Sequence, residues 1–170
     1  MKIIKYGAQS IKNNDFALIK KALKSSNITQ GKYVDIFENK IKNFVESKYC
    51  LSCNSGTAAI HLAFTAFNIN YSSVIIMPVI NFISSYRIAK VFGAKIYLAD
   101  VDSITGQMTP QDVENCIKKN RLKKVDLLVT MYLGGEPNNC HDFFKLKKKY
   151  DFKIMEDACH AFGATYYFKN

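Results

Sequence analysis

Short aliphatic runs alternate with helix-patterned segments along most of this chain, and that alternation constrains its fold more than any other feature. Val74-Ile75-Ile76-Met77 is apolar at every position and is closed by Pro78. A run of that kind has no polar face to give to water, so it predicts a strand covered on both sides, as in a parallel sheet. Lys95–Val101, Val125–Leu133 and Phe152–Met155 repeat the theme, and Tyr49–Cys53 reads as a further short strand. Between them lie helical spacings. Asn14–Ser25 carries Phe16, Ile19 and Leu23, with Asn13 or Asn14 as cap, and Val34–Val45 carries Phe37, Ile41 and Phe44. Ala58–Phe67, Phe82–Phe92 (stopped by Gly93), a helix opened by Thr109-Pro110, and His141–Tyr150 complete the set. Strands and helices in this order predict an α/β fold, a mainly parallel sheet with helices on both faces, in one domain.

Composition narrows the classes. With 170 residues, 48% of them hydrophobic, the chain can bury a core and is not of disordered type. No apolar run spans a bilayer and the amino terminus has no signal-peptide pattern, so we expect a cytoplasmic protein without membrane attachment. Five cysteines at irregular spacing imply reduced thiols. The Cys50-Leu51-Ser52-Cys53 pair lacks the second pair that a zinc ribbon needs, so no metal site is expected. The net charge of +10 comes from lysines spread over helix surfaces, as in Leu146-Lys147-Lys148-Lys149. Without interleaved aromatics it reads as a solvated basic surface and not as a nucleic-acid stripe.

Three segments carry candidate chemistry. Asn54-Ser55-Gly56-Thr57 stands at a predicted helix start, where unpaired N–H groups and the helix dipole favour an anion. Gly56 allows close backbone approach, and the hydroxyls of Ser55 and Thr57 add donors. A serine that merely caps the helix explains the same pattern. Pro78-Val79-Ile80-Asn81-Phe82 places an aromatic just past a strand, as ligand cover or as core. Glu156-Asp157-Ala158-Cys159-His160 leaves the last strand, and Asp157 is either a ligand contact or a helix cap. In a doubly wound sheet all three lie at the carboxyl edge, around one crevice. A phosphate cradle, an aromatic lid and an acid together suit pyridoxal 5'-phosphate, with Asp157 keeping the ring nitrogen protonated.

The sequence resembles the DegT/DnrJ/EryC/StrS sugar-nucleotide aminotransferases, of pyridoxal-phosphate fold type I. The marks are Ile28-Thr29-Gln30-Gly31, Ser55-Gly56-Thr57-Ala58-Ala59, Pro78-x-x-Asn81-Phe82, Asp100-Val101-Asp102, Tyr132-Leu133-Gly134-Gly135-Glu136-Pro137 and Glu156-Asp157-Ala158-Cys159-His160-Ala161-Phe162-Gly163-Ala164. The opening Tyr6-Gly7-x-Gln9-Ser10-Ile11 looks like the branch that aminates pseudaminic acid precursors. The resemblance implies that Gly56 and Thr57 hold the phosphate, Phe82 stacks on the ring, Asp157 pairs with its nitrogen, and His160 sits at its oxygen side. It places Tyr6 and Thr29 at the substrate. Asn81 departs from the family's usual threonine.

In the family, the Schiff-base lysine follows the Glu-Asp-Ala-x-His segment at a greater distance than Lys169 allows. The expectation is therefore that residues 1–170 are the amino-terminal part of the cofactor-binding large domain, without the small carboxyl-terminal domain. Such a chain lacks the base that transamination needs, is inactive alone, and leaves sheet edge and apolar surface uncovered. The resemblance implies an intact enzyme that moves an amino group, from glutamate, to a nucleotide-linked keto-deoxy sugar in surface glycan synthesis. It implies a homodimer, or pairing with a complementing chain. Two other readings fit the same residues: a relative of the lysine-less sugar dehydratases, and a non-catalytic module that binds cofactor or regulates another subunit.

Overall fold

The computed structural model describes residues 9–167. These fall into two compact units, divided between Ser52 and Cys53.

The first unit holds two helices, α1 (Asn13–Leu23) and α2 (Lys32–Phe44). The cap of α1 is Lys12 and not the asparagines expected from sequence. Asp15 decides this, because its Oδ2 accepts the Lys12 N–H at 2.7 Å and satisfies a donor at the helix start. Neither helix buries a residue fully. The predicted strand at Tyr49–Cys53 does not form. A strand exists only where a neighbour takes its backbone groups, and here the Ser52 N–H goes to Glu38 Oε1 at 2.7 Å, with the Ser52 hydroxyl on the same oxygen at 2.8 Å. Tyr49 and Leu51 stay exposed.

The second unit is an α/β layer structure. After α3 (Gly56–Ala66) the chain forms β1 (Val74–Pro78), α4 (Ile83–Val91), β2 (Lys95–Ala99), α5 (Pro110–Lys119), β3 (Leu127–Met131), a 3₁₀ turn (Leu133–Gly135), α6 (Cys140–Tyr150) and β4 (Lys153–Asp157). The strands lie in the order β2-β1-β3-β4, and every pairing is parallel, as the aliphatic runs predict. Asp126 locks the amino-terminal edge. Its Oδ2 accepts the Val74 N–H at 2.9 Å, its N–H donates to the Val74 carbonyl at 2.8 Å, and its own carbonyl accepts from Lys153 at 3.0 Å.

Alternate strand residues face opposite sides, and the core divides accordingly. Ile75, Met77, Leu127 and Val129 pack with Ile60 and Phe64 of α3 and with Ala89 of α4. Ile76 and Leu128 pack with Val113, Cys116 and Ile117 of α5 and with Phe143 and Leu146 of α6. Helices thus cover both faces of the sheet. Phe64, Ile75, Ile76, Leu127 and Leu128 retain no exposed surface. Each buried side chain of this size contributes about 1.5–3 kcal/mol.

From β1 the chain turns to β2 through α4, then crosses back over β1 to β3 through α5. The direction of travel therefore reverses at β1 and β3, and the crevice at their carboxyl ends is where such sheets bind ligands.

Candidate active site

The amino terminus of α3 forms one wall. Ser55 is its N-cap, and its Oγ accepts the Ala58 N–H at 3.2 Å while lying 3.4 Å from Asn54 Oδ1. The hydroxyl thus caps the helix and stays exposed. The N–H groups of Gly56 and Thr57, in the first helical turn, have no intrahelical acceptor and favour an anion. Thr57 Oγ1 pairs with Ser84 Oγ at 2.7 Å, which ties the start of α3 to the start of α4.

Phe82 is the N-cap of α4 and is 69% exposed. It is not core: the ring stands at the exit of β1, two residues from the Ser84 that contacts Thr57. Beside it Asn81 accepts the Phe82 N–H on Oδ1 at 2.7 Å, while its buried Nδ2 has no partner. Asn81, Phe82 and Tyr86 line a cavity of about 250 Å³ with Met77, Leu98 and Ile83.

Asp157 closes β4 and is buried, 8% exposed. It is a strand-end carboxylate and caps no helix, because a turn follows it. Register pairs it with Met131, and Met155, two residues earlier, packs on the α3/α4 face. Asp157 therefore points to the face that carries α3. Its Oδ1 accepts the Cys159 N–H at 3.2 Å. The thiol of Cys159 also bonds to Asp157, and this bond, burial and the carboxylate's charge push the thiol up to about 11. The same sulfur lies 3.9 Å from where a Cβ on Gly56 would stand. Cys159 thus bridges the acid and the start of α3, and the Thr57–Ser84 hydrogen bond ties the same helix start to α4, which Phe82 caps.

His160 is exposed in the turn after β4. Its backbone carbonyl abuts Gly135 so closely that a Cβ there would lie 2.6 Å from the oxygen. Thr29 is exposed in the first unit, in the loop between α1 and α2. Tyr6 lies outside the described residues.

The structure adds contacts that the sequence did not reveal. Gln107 is buried and donates from Nε2 to the carbonyls of Leu133 (2.9 Å) and Glu136 (3.0 Å), holding the turn after β3. The Tyr132 phenol donates to Glu156 Oε1 and receives the Cys140 thiol at 3.1 Å. Gln107 and Tyr132 act on partners 24–29 positions away, so no local spacing reveals them. Among the described residues no cluster of His, Cys, Asp or Glu is arranged to hold a metal, and no helix is long and apolar enough to cross a membrane.

The family model for the DegT/DnrJ/EryC1/StrS aminotransferases matches residues 9–170. The chain belongs to that family. Over 164 residues it is 31% identical to the UDP-4-amino-4,6-dideoxy-N-acetyl-beta-L-altrosamine transaminase of Campylobacter jejuni, a match covering 96% of this chain and 43% of that protein. Its fold superimposes on the aminotransferase of Psychrobacter cryohalolentis with a TM-score of 0.84 at 27% identity, over 92% of this chain and 39% of that one. A Streptococcus pneumoniae protein described as a sugar aminotransferase and solved in its PLP form gives a TM-score of 0.85 at 22% identity, over 96% and 44% of the two chains. The chain thus spans less than half the length of the relatives it matches, and has an incomplete α/β domain of fold type I.

Proposed function

We propose that this chain supplies the phosphate cradle, ring cover and ring-nitrogen acid of a pyridoxal-phosphate site. The enzyme it belongs to moves an amino group, from glutamate, to a nucleotide-linked keto-deoxy sugar used in surface glycan synthesis. One observation carries the reading: a buried carboxylate at the exit of β4 shares a face with the free N–H groups at the start of α3, and Cys159 spans the two.

The residues fit the group. The N–H groups of Gly56 and Thr57 hold the phosphate dianion at the positive end of the α3 dipole. Phe82 presents an open ring face to cover the pyridine ring and shield it from water. Asp157 holds a proton at the ring nitrogen, a pairing that offsets the cost of its own burial. When bound, pyridoxal phosphate supplies a ring that withdraws electrons from the substrate carbon next to the transferred nitrogen. By family resemblance His160 lies at the ring's oxygen side, and Tyr6 and Thr29 contact the sugar substrate. The large domain pairs with a second copy, or with a complementing chain, in the cytoplasm. The Campylobacter relative supports a UDP-linked acetamido-dideoxy sugar as substrate.

Equilibrium dialysis of the full 170-residue chain tests the reading. We expect saturable binding of pyridoxal phosphate, weaker binding of pyridoxal without the phosphate, and a loss of about tenfold or more in Asp157→Asn, the scale of a charge-assisted hydrogen bond. Equal affinity for the two compounds, or an unaffected Asp157→Asn, refutes it.

A further inference from the structure

Two acids end β4, and only one belongs in the site. Glu156 and Asp157 are consecutive, so their side chains leave opposite faces of the sheet. A slip of one residue at the strand's exit puts Glu156 against α3 and turns Asp157 away. Exits are where strands fray, since no further ladder follows. Something must therefore hold this one.

Tyr132 holds it at both residues. Its backbone N–H donates to the Asp157 carbonyl at 3.3 Å, and its phenol donates to the Glu156 carboxylate. The side chain is itself fixed: it is 4% exposed, packs with Ala161 and Cys140, and receives the Cys140 thiol on its oxygen. Burial, then Cys140 and Glu156, keep the phenol protonated far above the ordinary tyrosine range, so it remains a donor throughout the working pH range. Tyr166 faces Cys140 from beyond the turn. Asp157 meets the Cys159 N–H and thiol.

We infer that Tyr132, through Glu156, is a positioning residue that fixes the register of the β4 exit and so aims the Asp157 carboxylate at the cofactor's ring nitrogen. The inference rests on the cofactor reading above and adds a residue to it. Tyr132 is buried and acts through the two residues it ties.

The test is a pH titration of the absorbance of pyridoxal phosphate bound to the full chain, with thermal melting in parallel. In Tyr132→Phe and Glu156→Ala the ring nitrogen should lose its proton about one pH unit earlier than in the parent, with affinity falling about tenfold, a change equal to ~1.4 kcal/mol. Glu156→Gln keeps an acceptor for the phenol and should titrate close to the parent. If Tyr132→Phe melts below the assay temperature, Glu156→Ala carries the comparison. Lower melting with an unchanged cofactor titration in both variants assigns Tyr132 a structural role only and overturns the inference. A parent chain that binds no pyridoxal phosphate overturns the cofactor reading and this inference with it.

Discussion

Gly134 and Gly135 offer a controlled measurement of how tightly the turn after β3 is pressed against the segment that carries the site. Both have positive φ, +75° and +89°. An alanine at either position therefore meets the left-handed backbone penalty of about 1–2 kcal/mol. Their surroundings differ. At Gly134 a new Cβ finds nothing within 4 Å, whereas at Gly135 it lies 2.6 Å from the His160 carbonyl oxygen and 3.5 Å from its carbon. That neighbour is backbone, so relief requires moving the turn that follows Asp157. Overpacking of this kind adds about 1–3 kcal/mol. Gly134→Ala should thus cost about 1–2 kcal/mol and Gly135→Ala about 2–5 kcal/mol. For a chain of this length 1 kcal/mol corresponds to roughly 2–4 °C. Melting followed by far-ultraviolet circular dichroism should show Gly134→Ala a few degrees below the parent and Gly135→Ala lower again by roughly 2–12 °C. Gly135→Ala should also weaken pyridoxal phosphate binding, which Gly134→Ala should leave alone. Equal melting of the two variants would refute the close approach of the two segments.

Three further outcomes follow from the packing and the charges. Phe64→Ala empties a fully buried site beneath α3 and should cost about 3–5 kcal/mol in urea unfolding. Thr109→Ala removes the cap of α5, where Oγ1 accepts the Asp112 N–H and donates to Asp112 Oδ2, and should cost about 1 kcal/mol by the same assay. Cys159 should alkylate slowly: with its thiol raised to about 11 by Asp157, the reactive thiolate is scarce at pH 8 and grows as pH climbs toward that value. Iodoacetamide labelling read by peptide mass spectrometry should be slower at Cys159 than in a free cysteine derivative, and faster in Asp157→Asn.

The sheet was legible because each of its strands carries its own signal. Val74–Pro78 and Leu127–Met131 are buried at nearly every position, and continuous apolar runs say as much. Tyr49–Cys53 suits a strand by composition yet forms none, since pairing depends on a neighbour elsewhere in the chain. Caps were legible where the residue acts on its own helix, as at Thr109 and Ser55, and missed at Lys12, where the acid three residues on does the capping. The places of Gly56 at the start of α3, Phe82 at the start of α4 and Asp157 at the end of β4 could be read, because each sits at the end of an element with its own signal. Tyr132 and Glu156 stand in the family motifs, but their contact across 24 residues, like those of Gln107 across 26 and 29, leaves no local pattern.

The hydroxyl pair of Thr57 and Ser84 has a consequence for what the start of α3 can accept. Either oxygen can be the donor in that 2.7 Å bond. With Ser84 donating, the Thr57 proton is free to turn outward; with Thr57 donating, its remaining lone pair is the outward feature. A rotation of two O–H bonds, with no heavy atom moved, therefore reverses the polarity that the start of α3 shows to an arriving group. The same wall can meet an anionic oxygen or a protonated one, and the choice costs no rearrangement of the fold.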